Sequence, residues 1–308
     1  MSNINNYIEY INEKAKALPS EFIEKCEERY ENIINTIAEK IVIDEGREIV
    51  MLAGPSSAGK TTTARKLCEK LNEKGVKTYV LSLDDFYLNR ADIPYLPDGT
   101  QDFETVDALD LDLFTKCVNE LLSGKTVKNP IFDFHTGKRS SIEFNEITLG
   151  EQDIVIIEGL HALNPVITEK IQGKLLKIYI NVSSRIYDEK GNIILNKRNM
   201  RFIRRMVRDY KFRSSTVDNT CKLWKNVTTG EDKYLFPYRH LADIKINTIH
   251  LYESCVLKHQ AMELIENSEV SEEYKADIKK IYNALKQFEN IDEKLVPQGS
   301  LLREFLGK

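Results

Sequence analysis

The stretch Gly54-Pro55-Ser56-Ser57-Ala58-Gly59-Lys60-Thr61 decides how the rest of this sequence is interpreted, because it fits the pattern G-x-x-x-x-G-K-[ST]. The glycines permit a tight loop whose backbone N–H groups point inward, and Lys60 places a positive charge beside them. An apolar run precedes the loop and an amphipathic helical pattern follows it, so the positive end of a helix faces the same space.

This loop and its two flanks predict a binding site for the phosphates of a nucleoside triphosphate. The Thr61 hydroxyl is expected to bind Mg²⁺, and Lys60 to contact the β- and γ-phosphates. The residues expected to contact the nucleotide here are Gly54, Ser56, Ser57, Ala58, Gly59, Lys60, Thr61 and Thr62.

Short apolar runs alternate with helical patterns on the C-terminal side of this loop. The apolar runs lie at 49–53, 78–83, 154–157, 178–182 and 244–246, and the helical patterns at 61–73, 109–122, 200–212 and 251–266. Strands separated by helices predict an α/β fold, a parallel sheet with helices on both faces. Continuous apolar runs also suit strands that are buried on both sides.

The composition is that of an ordinary globular protein, with 42% hydrophobic and 30% charged residues in 308. The net charge of -4 gives no support for nucleic-acid binding through a generally basic surface. The five cysteines include no Cys-x-x-Cys pair, which argues against a disulfide framework or a zinc site. No apolar run approaches the roughly 20 residues of a membrane span, and we expect a cytoplasmic protein.

Acidic residues follow two of the predicted strands. Asp84 comes at the end of the second apolar run, where ligands bind in open α/β sheets. It is a candidate to accept the proton of an attacking hydroxyl or to hold a water on Mg²⁺. Glu158 ends a run of four apolar residues, the arrangement of a Walker-B strand, and is expected to bind Mg²⁺ directly or through water.

A helical pattern near residue 200 carries an arginine stripe. Arg201, Arg204, Arg205 and Arg208 fall on one face, and the opposite face holds Ile203, Met206, Val207 and Tyr210. Four like charges on one face repel each other unless an anion compensates them, and a triphosphate under a closing helix would do so. We therefore interpret this helix as a lid over the nucleotide.

Together, the loop, residues 83–87, the Glu158 strand and the arginine helix resemble the uridine kinase/phosphoribulokinase family, most closely its bacterial uridine kinase-like nucleoside kinases. The likeness covers about residues 48–260. It extends to Phe236-Pro237-Tyr238 with Ala242-Asp243, and to the tail that runs from Pro297 to Gly307. The resemblance implies an ATP- and Mg²⁺-dependent P-loop kinase fold with a five-stranded parallel sheet and a mobile arginine lid.

The resemblance also implies roles for single residues. Asp84 would be the general base toward the 5′-hydroxyl of a sugar, and Tyr87 would line the acceptor pocket. Arg205 would reach the acceptor, while Arg208 and Arg213 would contact phosphates. The expected acceptor-binding residues are Tyr87, Glu104, Phe132, Phe134, Arg139 and Arg205.

The sequence departs from the family pattern on the acceptor side. Glu104 stands where uridine kinases have an Asp that holds the ribose hydroxyls. Phe132 and Gly137 replace a Tyr and a His that read the pyrimidine edge, and His135 is a candidate substitute. A pocket without these polar groups cannot discriminate a base strongly by hydrogen bonding. The sequence therefore predicts a kinase without predicting its acceptor.

We divide the chain into a helical extension (1–45), a P-loop kinase domain (46–268) with the lid around 200–230, and a helical tail (269–308) packed on that domain. Leu18-Pro19-Ser20 marks a break in the extension, with Ser20 as the cap of its second helix. We interpret the extension as a packing element rather than a partner-binding arm. Family members often form dimers or tetramers, so a homo-oligomer is among the expectations.

Three functional hypotheses remain at this point. The first is a kinase that phosphorylates a nucleoside. The second changes the acceptor to another hydroxylated metabolite, such as a sugar phosphate, a pantothenate-like acid or a polyol. The third is a nucleotide-dependent switch or regulatory ATPase, although Asn196-Lys197-Arg198-Asn199 lacks the Asp that a guanine-reading motif needs.

Overall fold

Helices and strands alternate along most of the chain, of which the computed structural model describes residues 6–44, 49–97, 99–134 and 136–307. In these ranges the strands are β1 (Ile49–Ala53), β2 (Thr78–Ser82), β3 (Val127–Asp133), β4 (Lys138–Ile147), β5 (Ile154–Gly159), β6 (Leu175–Asn181), β7 (Ile186–Tyr187), β8 (Ile193–Leu195) and β9 (Ile244–Asn247). The helices are α1 (Ile8–Ala17), α2 (Pro19–Ile43), α3 (Lys60–Glu73), α4 (Leu111–Leu122), α5 (Pro165–Thr168), α6 (Lys197–Arg213), α7 (Val217–Tyr234), α8 (Glu253–Glu266), α9 (Glu272–Leu285) and α10 (Arg303–Leu306).

The central sheet has five strands in the order β2-β5-β1-β6-β9. All of its pairings are parallel, and β1 lies between β5 and β6. The predicted parallel sheet is therefore confirmed, with strand limits that differ from the apolar runs by a few residues at most. At the end of β2, for example, Leu83 already begins a short 3₁₀ turn.

Strand β1 is apolar and buried at every position. Val50 and Leu52 belong to the core on one face of the sheet, which also contains residues of α2, α3, α6 and α8. Ile49, Met51 and Ala53 belong to the core on the other face, with residues of α4 and β5. Because helices cover both faces, alternate side chains enter different cores and none faces water.

The carboxyl ends of three neighbouring strands meet at one edge of the sheet. Strand β1 runs into the phosphate-binding loop, β2 runs into the turn Leu83–Phe86, and β5 ends on Glu158 and Gly159. Register pairs Ser82 with Glu158 and Leu52 with the same residue. This edge therefore carries the predicted site residues.

The N-terminal helices pack on the kinase core. Tyr30 of α2 is fully buried, and its hydroxyl lies 2.6 Å from Thr63 Oγ1 of α3. Glu31 of α2 forms an ion pair with Lys66 of α3. The prediction that Ser20 caps the second helix was wrong, because α2 begins at Pro19. Proline suits the first helical position, where its missing N–H would have no acceptor in any case.

The features that were not predicted from the sequence include a hairpin and a helix. Strands β3 and β4 form an antiparallel hairpin outside the main sheet, with an irregular register near Pro130. Helix α7 follows the arginine helix α6, and its N-cap Thr216 accepts a hydrogen bond from the Asn219 N–H. In the part of the chain that the structure describes, no helix is both long and apolar enough to cross a membrane.

Candidate active site

The phosphate-binding loop depends on its two glycines for different reasons. Gly59 is the N-cap of α3 and has φ 90°, in the left-handed region that favours glycine. A Cβ on Gly54 would lie 2.6 Å from Ile180 Cγ1 and 2.7 Å from the Ile180 carbonyl oxygen, so only glycine allows this approach to β6. Ser57 also has a positive φ, of 57°. Successive turns of this kind form a concave nest of N–H groups.

The loop fits the phosphates of a nucleotide. The Ser57 Oγ is buried and has no hydrogen-bond partner within the described residues. The first N–H groups of α3 have no acceptor inside the helix and carry its positive dipole end. Lys60 Nζ lies 3.4 Å from the Pro55 carbonyl, a long hydrogen bond that an anion could replace. These donors together suit a polyphosphate.

Thr61 and Glu158 meet below the loop. Thr61 Oγ1 lies 3.3 Å from Glu158 Oε1, and the Ser82 hydroxyl donates to the same oxygen at 3.1 Å. Among the residues described, no three His, Cys, Asp or Glu side chains cluster into a metal site. Mg²⁺ does not need one, because it prefers a few protein oxygens with phosphate and water as its other ligands. The hydroxyl and carboxylate therefore fit Mg²⁺ held together with a nucleotide.

Asp84 lies beside this pair at the end of β2, where its N–H donates to the Ser82 Oγ at 3.3 Å. Burial raises the pKa of the Asp84 carboxyl, against the opposing charges of Lys60 and Arg213. The pKa of Glu158 is raised to about 7, mainly by burial, with Lys60 acting to lower it and the nearby Asp84 to raise it. A carboxylate with a raised pKa is a better proton acceptor at neutral pH.

Buried carboxylates of the protein, rather than a bound anion, balance the charges of two arginines in the stripe on α6. Both terminal nitrogens of Arg201 pair with Glu231 of α7, at 2.6 and 2.8 Å. Arg204 pairs with Glu253 of α8, and all four groups are buried. The expectation that an external anion balances the whole stripe is therefore wrong for Arg201 and Arg204. Their partners come from other helices and could not be seen in the spacing of the arginines.

The remaining arginines carry an excess of positive charge next to the loop. Arg205 Nη1 donates to the Ser56 hydroxyl at 2.8 Å. Arg205, Arg208 and Arg213 lie 3.1, 2.7 and 3.6 Å from Asp209 in three ion pairs. At ion-pair distance three guanidinium groups thus share one carboxylate, while Glu104 acts on Arg205, and Asp84 and Glu304 on Arg213, from further away. The structure thus brings Arg205 to the loop, with Arg208 and Arg213 following on the same helix.

The predicted acceptor side is an aromatic cluster. The Tyr87 ring lies 5.6 Å from that of Phe132 and 6.3 Å from that of Phe134, and the two phenylalanine rings are 5.1 Å apart. Phe134 is 60% exposed, so one face of the cluster is open. The Tyr87 hydroxyl donates to the Phe103 carbonyl at 2.9 Å, which fixes its ring. Aromatic groups arranged in this way present an apolar surface to a planar ligand.

Glu104 is the charged group of this side. Burial raises the pKa of its carboxyl to about 7, against the opposing charge of Arg205. The His161 ring lies 3.0 Å from the Glu104 carbonyl, and burial lowers the His161 pKa to about 4, so this ring is neutral. A Cβ on Gly230 would lie 2.3 Å from the Glu104 Cβ, so α7 packs directly against this segment.

Two hairpin residues, Gly137 and Arg139, have Arg90 and Asp110 as close neighbours. Gly137 has φ 69°, and a Cβ there would lie 2.8 Å from Arg90 Nε. Arg90 therefore fills the space that a larger residue would need. Arg139 is held by Asp110, the N-cap of α4, in a 2.9 Å ion pair, so contact with an acceptor would require this pair to rearrange. His135 lies outside the described residues.

Glu231 is the main site residue that the sequence did not indicate. Besides binding Arg201, its Oε1 accepts the Ser56 backbone N–H at 2.9 Å, and Arg201 donates to the Ser56 carbonyl at 3.0 Å. Glu231 thus ties α7 and α6 to the phosphate-binding loop. A single Glu in a polar helical segment carries no local signal of this role.

The comparison with protein families agrees with this geometry. The model described as "Phosphoribulokinase / Uridine kinase family" matches residues 49–253. The chain belongs to this family. Its members are ATP-dependent phosphotransferases, and so is this chain. The match begins with β1 and ends at the start of α8, and it therefore includes the loop, Asp84, Glu158 and the arginine helix.

Individual relatives in this family are distant in sequence. The uridine kinase of Lactobacillus helveticus is 28% identical over 198 residues, which cover 64% of this chain and 84% of the relative. The mouse uridine-cytidine kinase-like 1 is 31% identical over 200 residues, 63% of this chain and 32% of the relative. A putative fructose transport system kinase from Silicibacter sp. TM1040 shares the fold, with a TM-score of 0.50 and 18% identity over 69% of this chain and 98% of that one.

Proposed function

We propose that this phosphotransferase moves the γ-phosphate of ATP to a hydroxyl of a small molecule, and that its first acceptor class is nucleosides, phosphorylated at the 5′-hydroxyl. The observation that carries the proposal is the meeting of Thr61, Glu158 and Asp84 at one sheet edge, below a loop that Arg205 contacts. The uridine kinases among the relatives support the nucleoside part.

The donor side binds and orients the triphosphate. The loop N–H groups and Lys60 bind phosphate oxygens, and Arg208 and Arg213 add positive charge from α6. Thr61, and Glu158 directly or through water, would hold Mg²⁺. The ion would supply charge neutralisation between the phosphates. With these groups in place, Arg205 and α7 limit the access of water to the loop.

Asp84 is the proposed base. As the acceptor oxygen attacks the γ-phosphorus, the bond from that phosphorus to the bridging oxygen of ADP breaks. The hydroxyl proton passes to the Asp84 carboxylate. Arg205 is placed between Ser56 of the loop and the Glu104 side, where it can orient both reactants.

The acceptor would lie against the aromatic cluster. The exposed Phe134 ring and the partly buried Tyr87 ring, both packed on the buried Phe132, offer stacking surfaces to a planar base, while Glu104 accepts hydrogen bonds from ribose hydroxyls. Stacking binds every base about equally, so this arrangement predicts a kinase that tolerates several nucleosides better than one that selects pyrimidines.

Nucleoside-stimulated ADP release tests the proposal. Purified protein with ATP and Mg²⁺ is offered uridine, cytidine, adenosine, guanosine and inosine, and ADP is measured by a coupled assay. We expect at least one nucleoside to accelerate ADP release well above the rate with ATP alone. If all five leave the rate unchanged, the nucleoside class is excluded.

A second acceptor class is favoured by the hairpin. Phe132 and Gly137 supply no polar group to a base edge, and Arg90 occupies the space next to Gly137. A guanidinium at that place suits an acceptor that carries an anionic or carbonyl group. A melting-temperature screen with sugar phosphates, pantothenate-like acids, polyols and nucleosides separates the classes, because a true acceptor stabilises the folded protein.

A further inference from the structure

The C-terminal segment, defined here as residues 300–307, reaches the phosphate-binding loop from the far end of the chain. Leu301 is fully buried, and a Cβ on Gly59 would lie only 2.5 Å from Leu301 Cδ1. Its neighbour Ser300 donates a hydrogen bond to Glu27 of α2 at 2.6 Å. The segment is therefore anchored on one helix and packs against the glycine at which α3 begins.

Glu304 of this segment contacts a residue of the predicted nucleotide site. The Thr62 hydroxyl, in the first turn of α3, donates to Glu304 Oε2 at 2.7 Å. The Glu304 charge also acts favourably on the guanidinium of Arg213 at the end of α6. The Glu304 carboxylate thus accepts a hydrogen bond from the loop helix and adds negative charge near the end of the arginine helix.

The other side of the same segment packs on α6. The Arg204 guanidinium lies 5.2 Å from the centre of the Phe305 ring. Lys211 Nζ donates to the Leu306 carbonyl at 2.8 Å. Gly307 lies beside Phe212, since a Cβ on it would be 3.0 Å from Phe212 Cζ. The segment therefore contacts both α3, which begins at the phosphate-binding loop, and α6, whose Arg205 contacts that loop.

A carboxylate at this place has an electrostatic cost. Bound phosphates and Glu304 are both negative, so a simple charge argument predicts that removal of Glu304 strengthens nucleotide binding. The opposite is expected if Glu304 acts on geometry, because a misplaced hydroxyl or guanidinium loses its hydrogen bond to phosphate. The sign of the effect therefore separates the two roles.

We propose that the C-terminal segment is a positioning element of the nucleotide site, and that Glu304 is its positioning residue. Leu301, Phe305 and the Leu306 carbonyl hold α6 against the start of α3, while Glu304 orients Thr62 by accepting the hydrogen bond from its hydroxyl. The affinity for the donor nucleotide then depends on a segment outside the matched family region 49–253. This inference rests on the proposed function in so far as ATP is the ligand.

Nucleotide affinity in Glu304 variants provides the first test. Glu304→Ala, Glu304→Gln and the control Glu289→Gln, an exposed carboxylate of the same tail, are titrated with ADP and Mg²⁺ by calorimetry. We expect Glu304→Ala to weaken ADP about tenfold, the scale of one charged hydrogen bond. Glu304→Gln is expected to weaken it less, because an amide oxygen still accepts from Thr62, and Glu289→Gln to leave it unchanged. Unchanged or tighter binding in both Glu304 variants overturns the proposal.

Hydrogen exchange without nucleotide provides the second test and does not depend on the ligand. Glu304→Ala and Leu301→Ala are expected to speed exchange at the C-terminal half of α6, while β1 and β5 keep wild-type protection. Equal exchange of α6 in wild type and both variants contradicts the proposed bridge. Wild-type protein that binds neither ADP nor ATP would refute the proposed function instead, and the exchange result would still decide this one.

Discussion

The proposed donor side and the proposed acceptor side of this kinase are built in different ways. On the donor side, contacts come from backbone groups and from buried pairs such as Arg201 with Glu231. On the acceptor side, Phe134 is largely exposed and contacts come mainly from aromatic rings. The donor-side contacts can be made by few residue types, whereas many residue types can supply the apolar surface of the acceptor side.

This difference explains why the sequence predicts a binding site for the phosphate donor but does not predict the identity of the acceptor. A phosphate group needs inward N–H groups, a lysine and a glycine with positive φ, so its site has a recognisable pattern. An acceptor needs only a surface of the right shape with a few polar groups, which many sequences supply. We therefore expect donor-side substitutions to have large, uniform effects and acceptor-side substitutions to have smaller effects that depend on the ligand.

The largest expected effect is on catalysis at the boundary of the two sides. Asp84→Asn removes the proposed base but keeps the shape of the side chain. We expect kcat to fall by about 10²–10⁴-fold, the usual contribution of a general base. ADP affinity, measured by calorimetry, should change little. A variant with full turnover would remove Asp84 from the role of base.

The second-largest expected effect is a loss of stability when a buried ion pair of the donor side is broken. Glu231→Gln leaves Arg201 buried without a balancing charge, which we expect to cost about 3–5 kcal/mol of unfolding free energy. Asp232→Asn, on the same helix as Glu231, is the matched control. It breaks the exposed ion pair between Asp232 and Arg198 and should cost about 0–1 kcal/mol of unfolding free energy. Urea denaturation of both variants measures the contrast. Equal losses of unfolding free energy in the two variants would show that the buried ion pair stabilises the protein no more than the exposed one.

On the acceptor side, Glu104 is expected to make stability depend on pH. Its folded-state pKa of about 7 exceeds the ordinary 4.5, so the folded protein keeps a proton that the unfolded chain has lost. The contribution of Glu104 to the free energy of unfolding therefore falls as the pH rises from 4.5 to 7.

Glu104→Gln should consequently be more stabilising at pH 8 than at pH 5, by a difference on the order of 3 kcal/mol. Denaturation of variant and wild type at pH 5, 6.5 and 8 checks this. A difference that stays constant across this range would show that Glu104 titrates normally.

The smallest expected effect concerns the hairpin. Gly137→His introduces the residue type that the family resemblance led us to expect here, but it places a side chain at φ 69° and against Arg90. We expect a loss of about 1–2 kcal/mol in stability, the cost of a left-handed conformation, and no gain in pyrimidine selectivity. The double variant Gly137→His with Arg90→Ala removes the steric conflict. Recovery of pyrimidine preference in the single variant would contradict the role assigned to Arg90.

Local patterns predicted the sheet well. The apolar runs before Gly54 and Glu158 became β1 and β5, because burial on both faces demands continuous apolar residues. The hairpin was missed, since Pro130 and the mostly exposed, polar β4 do not resemble a buried strand.

Long-range contacts account for the rest. The partners of Arg201 and Arg204 are 30 and 49 positions away, and Glu304 reaches Thr62 across 242 positions. Nothing in the spacing of the arginines distinguishes a stripe that faces phosphate from one that faces buried carboxylates. Such pairings depend on how helices pack, which one local pattern does not contain.

The central claim is that the donor side delivers the γ-phosphate to a hydroxyl and excludes water from it. Phosphorus NMR of wild-type protein with ATP, Mg²⁺ and a mixture of nucleosides, sugar phosphates and polyols tests it most directly. Our account predicts a new phosphomonoester signal that grows in equal amount with ADP, and that grows at least about 10²-fold more slowly in Asp84→Asn. ADP accompanied only by inorganic phosphate, at a rate that no acceptor changes, would contradict it.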